Sequence, residues 1–126
     1  VEITASVIGN EEALVLPLIE ITSVNEFYDY ESKYTPGMCS HIIPARIDDK
    51  IRREIETISK KTYEALGCRG FSRIDFIVDQ LGNPYVLEVN TIPGMTDMSL
   101  VPDAARAAGM SFKQLVEYIV RLALDK

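Results

Sequence analysis

A chain of 126 residues with 47% hydrophobic content is about the size of one domain and can bury a core of its own. Its net charge of −6 argues against a nucleic-acid or anionic-membrane partner, which would need clustered Lys and Arg, and no stretch approaches the ~18 apolar residues of a spanning helix. One histidine and two cysteines with no CxxC spacing exclude a zinc site or a His-based triad, and fit a cytosolic protein with unpaired thiols.

The opening run VEITASVIG reads as a strand rather than a secretory signal, and a start on Val fits a piece of a longer protein. Ile3 to Ile8 and Leu14 to Ile21 are predicted as a hairpin around the polar turn at 9–12, with Pro17 placing the second strand at an edge or a bulge. From Thr22 to His41 there is no clear period, and a loop that long within a domain is more often functional than passive. It carries Phe27, Tyr28, Tyr30, Lys33 and Tyr34. A short strand at His41 to Ala45 precedes a helix capped by Asp48 and closed by Gly67, with Ile51, Ile55, Ile58, Thr62 and Leu66 on one face. Phe71 to Asp79 and Pro84 to Asn90 alternate with period two around the turn at 80–83, a second hairpin. Pro102 suits the first turn of a short helix ending before Gly109. Ser111 and Gln114 form a capping-box pattern for a last helix with Leu115, Val116, Ile119, Leu122 and Ala123 inward.

The second hairpin carries the chemistry. If Asp79 faces Pro84, Asp75 lies opposite Glu88 and Arg73 opposite Asn90, so all four project from one side. The other side, Ile74, Phe76, Val78, Tyr85, Leu87 and Val89, is apolar and belongs to the core. Two opposed carboxylates repel unless something positive lies between them. Asp75, Glu88 and Asn90 offer the oxygen ligands that Mg²⁺ takes, and Arg73 adds a rigid donor fork for phosphate or carboxylate. A solvated hairpin face with an Arg73 surface ion pair fits the same pattern. Beyond it, Gly94 permits close backbone approach to a ligand, and Ser99 lies where a helix N-terminus offers amides to an anion. An ordinary Pro-Gly turn and a Ser cap would read the same way.

The runs GCRGFSRID at 67–75, LEVNTIPGMT at 87–96 and SLVP at 99–102, in that order, are similar to the D-alanine–D-alanine ligases. FYDYESKY at 27–34 resembles that family's substrate loop, and the matches span most of the chain. The chain departs from the pattern at Asp97-Met98, where members often have Ser-His.

The resemblance implies an α+β fold: the C-terminal subdomain of an ATP-grasp domain over residues 1–126, with a largely antiparallel sheet packed against helices and a long substrate loop at about 22–41. The family joins two D-alanines at the expense of ATP, through an acyl phosphate and a tetrahedral intermediate, for peptidoglycan synthesis in the bacterial cytoplasm. By resemblance, Asp75, Glu88 and Asn90 hold two Mg²⁺ ions, with Mn²⁺ as an alternative. Arg73 and the Gly94 amide stabilise the oxyanion, and Ser99 and the Leu100 amide bind the carboxylate of the second D-alanine. Lys33, Tyr28, Tyr30 and Glu2 contact ATP, Glu2 at the ribose, while Tyr34 helps close the loop over substrate. The resemblance also implies an N-terminal domain, a homodimer at full length, and only half a site in these 126 residues. Other readings of the polar face are an ATP-grasp ligase with a different acceptor, or a non-catalytic Mg²⁺- or nucleotide-binding module. A carboxylate-pair hydrolase has little room for a sugar between adjacent strands.

Overall fold

The computed structural model describes residues 1–23, 39–96 and 99–125. Its elements are β1 (Glu2–Ile8), β2 (Leu14–Val15), β3 (Ile19–Ser23), β4 (Cys39–Ile42), α1 (Asp49–Ala65), β5 (Phe71–Val78), β6 (Pro84–Asn90), α2 (Leu100–Ala107) and α3 (Phe112–Leu124). The strands form one sheet in the order β4-β3-β1-β5-β6, with β2 also paired to β1, and every pairing is antiparallel. Helix α1 covers one face and α2 with α3 the other. This is the expected α+β arrangement. Among the described residues no helix is long and apolar enough to cross a membrane.

Alternation along β1 separates the two layers. Ile3, Ala5 and Val7 join Ile74, Phe76 and Val78 of β5 against Ile55 and Tyr63 of α1. Ile8 faces the opposite way, toward Ile19, Ile21, Leu100, Val101, Ala104, Ala105 and Leu115. The single strand expected over Leu14 to Ile21 is instead two, β2 and β3, interrupted around Pro17, and the break has a consequence for packing. Leu16 lies in the α2–α3 layer, whereas Leu18, two residues on, lies in the α1 layer. In an unbroken strand both would share a face. The missing proline N–H lets the chain slip by one residue, so β2 and β3 both pair with β1 but in different phase.

The turn of that hairpin is fixed from outside. Gly9, at φ +127°, donates to the Gly70 carbonyl (2.8 Å) and accepts from the buried Tyr63 hydroxyl (2.7 Å). A Cβ at Gly9 would lie 2.5 Å from the Glu12 carbonyl oxygen, which only glycine avoids. Burial pushes the Tyr63 phenol up to about 12, so it stays a neutral donor.

Several expected details shift. The strand expected at 41–45 begins two residues earlier and ends at Ile42. Asp48 occupies the N-cap position of α1, yet its side chain makes no capping bond. The buried stripe of α1 is Ile55, Ser59 and Tyr63, whereas Leu66 is the exposed C-cap. The α3 capping box forms as expected, Ser111 Oγ accepting from the Gln114 amide at 3.1 Å. Its inward face is Leu115, Tyr118, Ile119 and Leu122, with Val116 and Ala123 outward. Met95 and Met110 fill space beside the second layer, and Cys68 is a free, half-buried thiol. Of the loop expected at about 22–41, residues 24–38 lie outside the described residues, while 22–23 belong to β3 and 39–41 to β4.

One buried charge staples β3 to the segment before α1. Glu20 is buried and accepts from the Arg46 amide (3.0 Å), from Nε (3.1 Å) and from Nη2 (2.8 Å). The Arg46 side-chain hydrogen bonds hold its carboxyl below the usual value, against the opposing effect of burial. A carboxyl with a depressed folded pKa adds stability above its unfolded pKa of ~4.3 and loses it as pH falls through the folded value. Arg46→Ala should therefore lower stability at pH 7, and that loss should shrink toward zero as the pH falls below about 4. Urea denaturation across pH measures both.

Candidate active site

The register expected for the polar hairpin is present at the end that matters. Arg73 pairs with Asn90, Ile74 with Val89 and Asp75 with Glu88. Between Asp75 and Phe76 a bulge intervenes, so Phe76 faces Val86, Ile77 faces Tyr85 and Val78 faces Pro84. The turn is thus one residue out of the expected register. It is pinned by Asp79, whose Oδ1 accepts from the amides of Leu81 (2.9 Å) and Asn83 (2.8 Å). Those bonds, the Asn83 amide first, hold the Asp79 carboxyl below its ordinary value. The bulge corrects the expected apolar face. Ile74, Phe76 and Val78 are buried and Val89 partly so, but Tyr85 and Leu87 are 55% and 54% exposed. Strand β6 is an edge strand, and the extra residue puts Tyr85 out of phase with Val89.

The polar face lies on the α2–α3 side of the sheet. There β1 adds Thr4 opposite Asp75 and Ser6 opposite Arg73, with Glu2 opposite Ile77. The sequence signal was the alternation of Glu2, Thr4 and Ser6 among apolar neighbours, which marks a strand with one polar face; its partner strand could not be read from it. Arg73 and Asp75 are buried, which excludes the solvated-face reading for this pair. Arg73 grips Asp75 through a two-point fork, Nε to Oδ1 at 3.1 Å and Nη2 to Oδ2 at 3.2 Å. Thr4 Oγ1 donates to the same Oδ1 at 3.0 Å. Arg73 Nη2 also stands 3.9 Å from Glu88 Oε1, and the Glu88 side chain is 57% exposed. Asn90 Oδ1 accepts from the Ile92 amide at 3.1 Å.

This donor set suits a hard divalent cation: two opposed carboxylates and an amide oxygen on one face, one carboxylate anchored and the other reaching toward solvent. Among the described residues no three His, Cys, Asp or Glu gather, so the third oxygen ligand would be the Asn90 amide.

The chain then turns through 91–99 to α2. Ser99 is the N-cap of α2, in extended conformation, as expected. Its Oγ bonds back to Thr96, accepting from the amide at 3.0 Å and lying 2.8 Å from Oγ1. Leu100 and Val101 begin the helix with amides that lack intrahelical acceptors, while Pro102 has no N–H to leave unpaired. Gly94 lies against Ser99: a Cβ there would sit 2.9 Å from Ser99 Oγ. A larger residue at 94 would have to displace the Ser99 hydroxyl. Tyr28, Tyr30, Lys33, Tyr34 and the Asp97-Met98 departure lie outside the described residues.

The family model "D-ala D-ala ligase C-terminus" matches residues 1–121. The chain belongs to the D-alanine–D-alanine ligase family. A D-alanine–D-alanine ligase of Carboxydothermus hydrogenoformans is 60% identical over 126 residues, covering 99% of this chain and 40% of that protein. One from Pelotomaculum thermopropionicum is 58% identical over 124 residues, covering 98% and 39%. The crystal structure of the Bacillus anthracis ligase complexed with ATP superposes with a TM-score of 0.79 at 36% identity, over 98% of this chain and 39% of that one. The VanG D-Ala:D-Ser ligase of Enterococcus faecalis gives 0.78 at 38% identity, over 96% and 35%. The chain therefore spans about two-fifths of the length of these ligases, and has the fold of an ATP-grasp C-terminal subdomain.

Gly94→Ala tests the packing of the turn on the α2 N-cap. The new methyl should drive Ser99 Oγ away from Thr96, visible in a crystal structure, and lower stability by about 0.5–1.5 kcal/mol.

Proposed function

We propose that this chain supplies the metal- and acceptor-binding half of an enzyme that condenses two D-alanines with ATP, through an acyl phosphate. The supporting observation is the β5–β6 register, which sets Arg73, Asp75, Glu88 and Asn90 on one face of a hairpin that leads directly into the Gly94–Ser99 turn. Asp75, Glu88 and Asn90 would hold two Mg²⁺ ions, or Mn²⁺, on the ATP phosphates. Bound there, the cations would offset phosphate charge and align the attacking carboxylate.

The chain's own groups do the remaining work. Arg73 anchors Asp75 through Nε and Nη2 and would also face a developing oxyanion, aided by the Gly94 amide. Ser99 Oγ and the Leu100 amide, at the positive end of α2, would receive the carboxylate of the second D-alanine. Glu2 ends the same polar row and would bind the ATP ribose. Tyr28, Tyr30 and Lys33 would reach ATP, with Lys33 at the γ-phosphate, and Tyr34 would close over substrate. A protein of the relatives' length would add the first D-alanine site and the remaining ATP contacts, and we place it in the bacterial cytoplasm as a homodimer.

In a protein of that length, Glu88→Gln should abolish ATP-dependent D-alanyl-D-alanine formation, measured by coupled phosphate release and chromatography of the dipeptide. Full activity in this variant would sink the metal assignment. The 126-residue chain alone should bind Mg-ATP weakly by calorimetry and turn nothing over. A different acceptor is a second reading, supported by the likeness to a D-Ala:D-Ser ligase. A higher kcat/KM with D-Ser than with D-Ala as acceptor would establish it.

A further inference from the structure

The Arg73–Asp75 fork creates a difficulty for the reading above, on which this inference rests. A bidentate guanidinium holds both oxygens of a carboxylate in its own plane, and so competes with any cation for the same atoms. A metal ligand in such a grip must keep a lone pair clear of the fork, which depends on the exact angle at which the carboxylate is held. Metal-ligating carboxylates are commonly hydrogen-bonded by outer groups, whose loss costs metal affinity.

Thr4 occupies that position. It is fully buried on β1, directly opposite Asp75 in register, and its Oγ1 donates to Asp75 Oδ1 at 3.0 Å. Rotation of the carboxylate about its last side-chain bond, an intrinsically soft torsion, would break this bond. A hydroxyl also adds a donor without adding positive charge, so it orients Asp75 without repelling a cation. The neighbouring hydroxyl provides a natural contrast. Ser6 is equally buried, opposite Arg73 on the same face, but its Oγ has no hydrogen-bond partner among the described residues. A polar atom in this row is therefore not drawn into the ion pair by location alone.

We propose that Thr4 is a positioning residue, whose hydroxyl fixes the Asp75 carboxylate in the orientation that lets it bind a divalent cation despite the Arg73 fork.

The test uses Mn²⁺ as the probe, titrated into a protein of the relatives' length with a saturating non-hydrolysable ATP analogue, bound ion being counted by electron paramagnetic resonance. Thr4→Val should weaken Mn²⁺ binding by about 10- to 100-fold. Thr4→Ser, which keeps the hydroxyl, should bind as the parent does, and so should Ser6→Ala. Thr4→Ala serves as the hydroxyl-free variant where Val does not fold. Parent-like affinity in the hydroxyl-free variant would overturn the role of Thr4, and so would a Thr4→Ser variant as weak as Thr4→Val. Asp75→Asn separates the two levels. If it binds Mn²⁺ like the parent, the metal reading of Asp75 fails. If it loses Mn²⁺ while Thr4→Val does not, the inference about Thr4 alone fails.

Discussion

Arg73 and Asp75 are a charged pair with almost no access to water, in a central strand of the sheet. Taking two ions out of water costs several kcal/mol each, and their mutual attraction offsets this only when the geometry is good and further hydrogen bonds complete it. Here the two-point fork and the Thr4 hydroxyl provide that geometry. The pair lies on β5, between β1 and β6, where neither charge can move without disturbing a paired strand. Such an arrangement is a poor general device for stability. It is a good one for holding a guanidinium and a carboxylate in fixed relative positions, which a site for phosphate and metal requires.

The helical layer on the same side of the sheet packs closely against it. Helix α2 presents Ala104 and Ala105 to the sheet, both fully buried, and small residues let a helix approach closely. Two interruptions in the strands then decide what reaches the site. The break at Pro17 lets one hairpin feed both hydrophobic layers. The bulge after Asp75 leaves the four polar residues in phase but turns Tyr85 to the face it shares with Ile77. Bulges next to active sites commonly re-aim side chains in this way. Beside Glu2, that row offers an exposed apolar surface, consistent with the nucleoside end of the proposed ATP site.

The length of the relatives gives the same picture a boundary. This chain covers about two-fifths of them, and its polar face holds the anchored carboxylate, the exposed carboxylate and the amide. In the proposed enzyme the other reactant surfaces come from elsewhere. A site divided between two bodies admits substrates between them and excludes water when they meet, a common arrangement for a reactive acyl phosphate.

The sequence by itself determined the local elements and the composition of the polar face. Period-two alternation set both hairpins, Ser111 and Gln114 set the last helix start, and the runs at 67–75 and 87–102 carried the family resemblance. These are near-neighbour properties, fixed by side-chain alternation and by capping chemistry. Tertiary structure decided whatever depends on a partner distant in the chain. It buried Arg73 and Asp75, which pattern alone left equally compatible with a solvated face. It placed Thr4 against Asp75 across 71 positions of sequence. It also displaced the turn register by a bulge and exposed Tyr85 and Leu87, because β6 is an edge strand and no local pattern states where a sheet ends. The polar face was therefore legible as a list of residues, while its burial, its fork and its supporting hydroxyl came from packing.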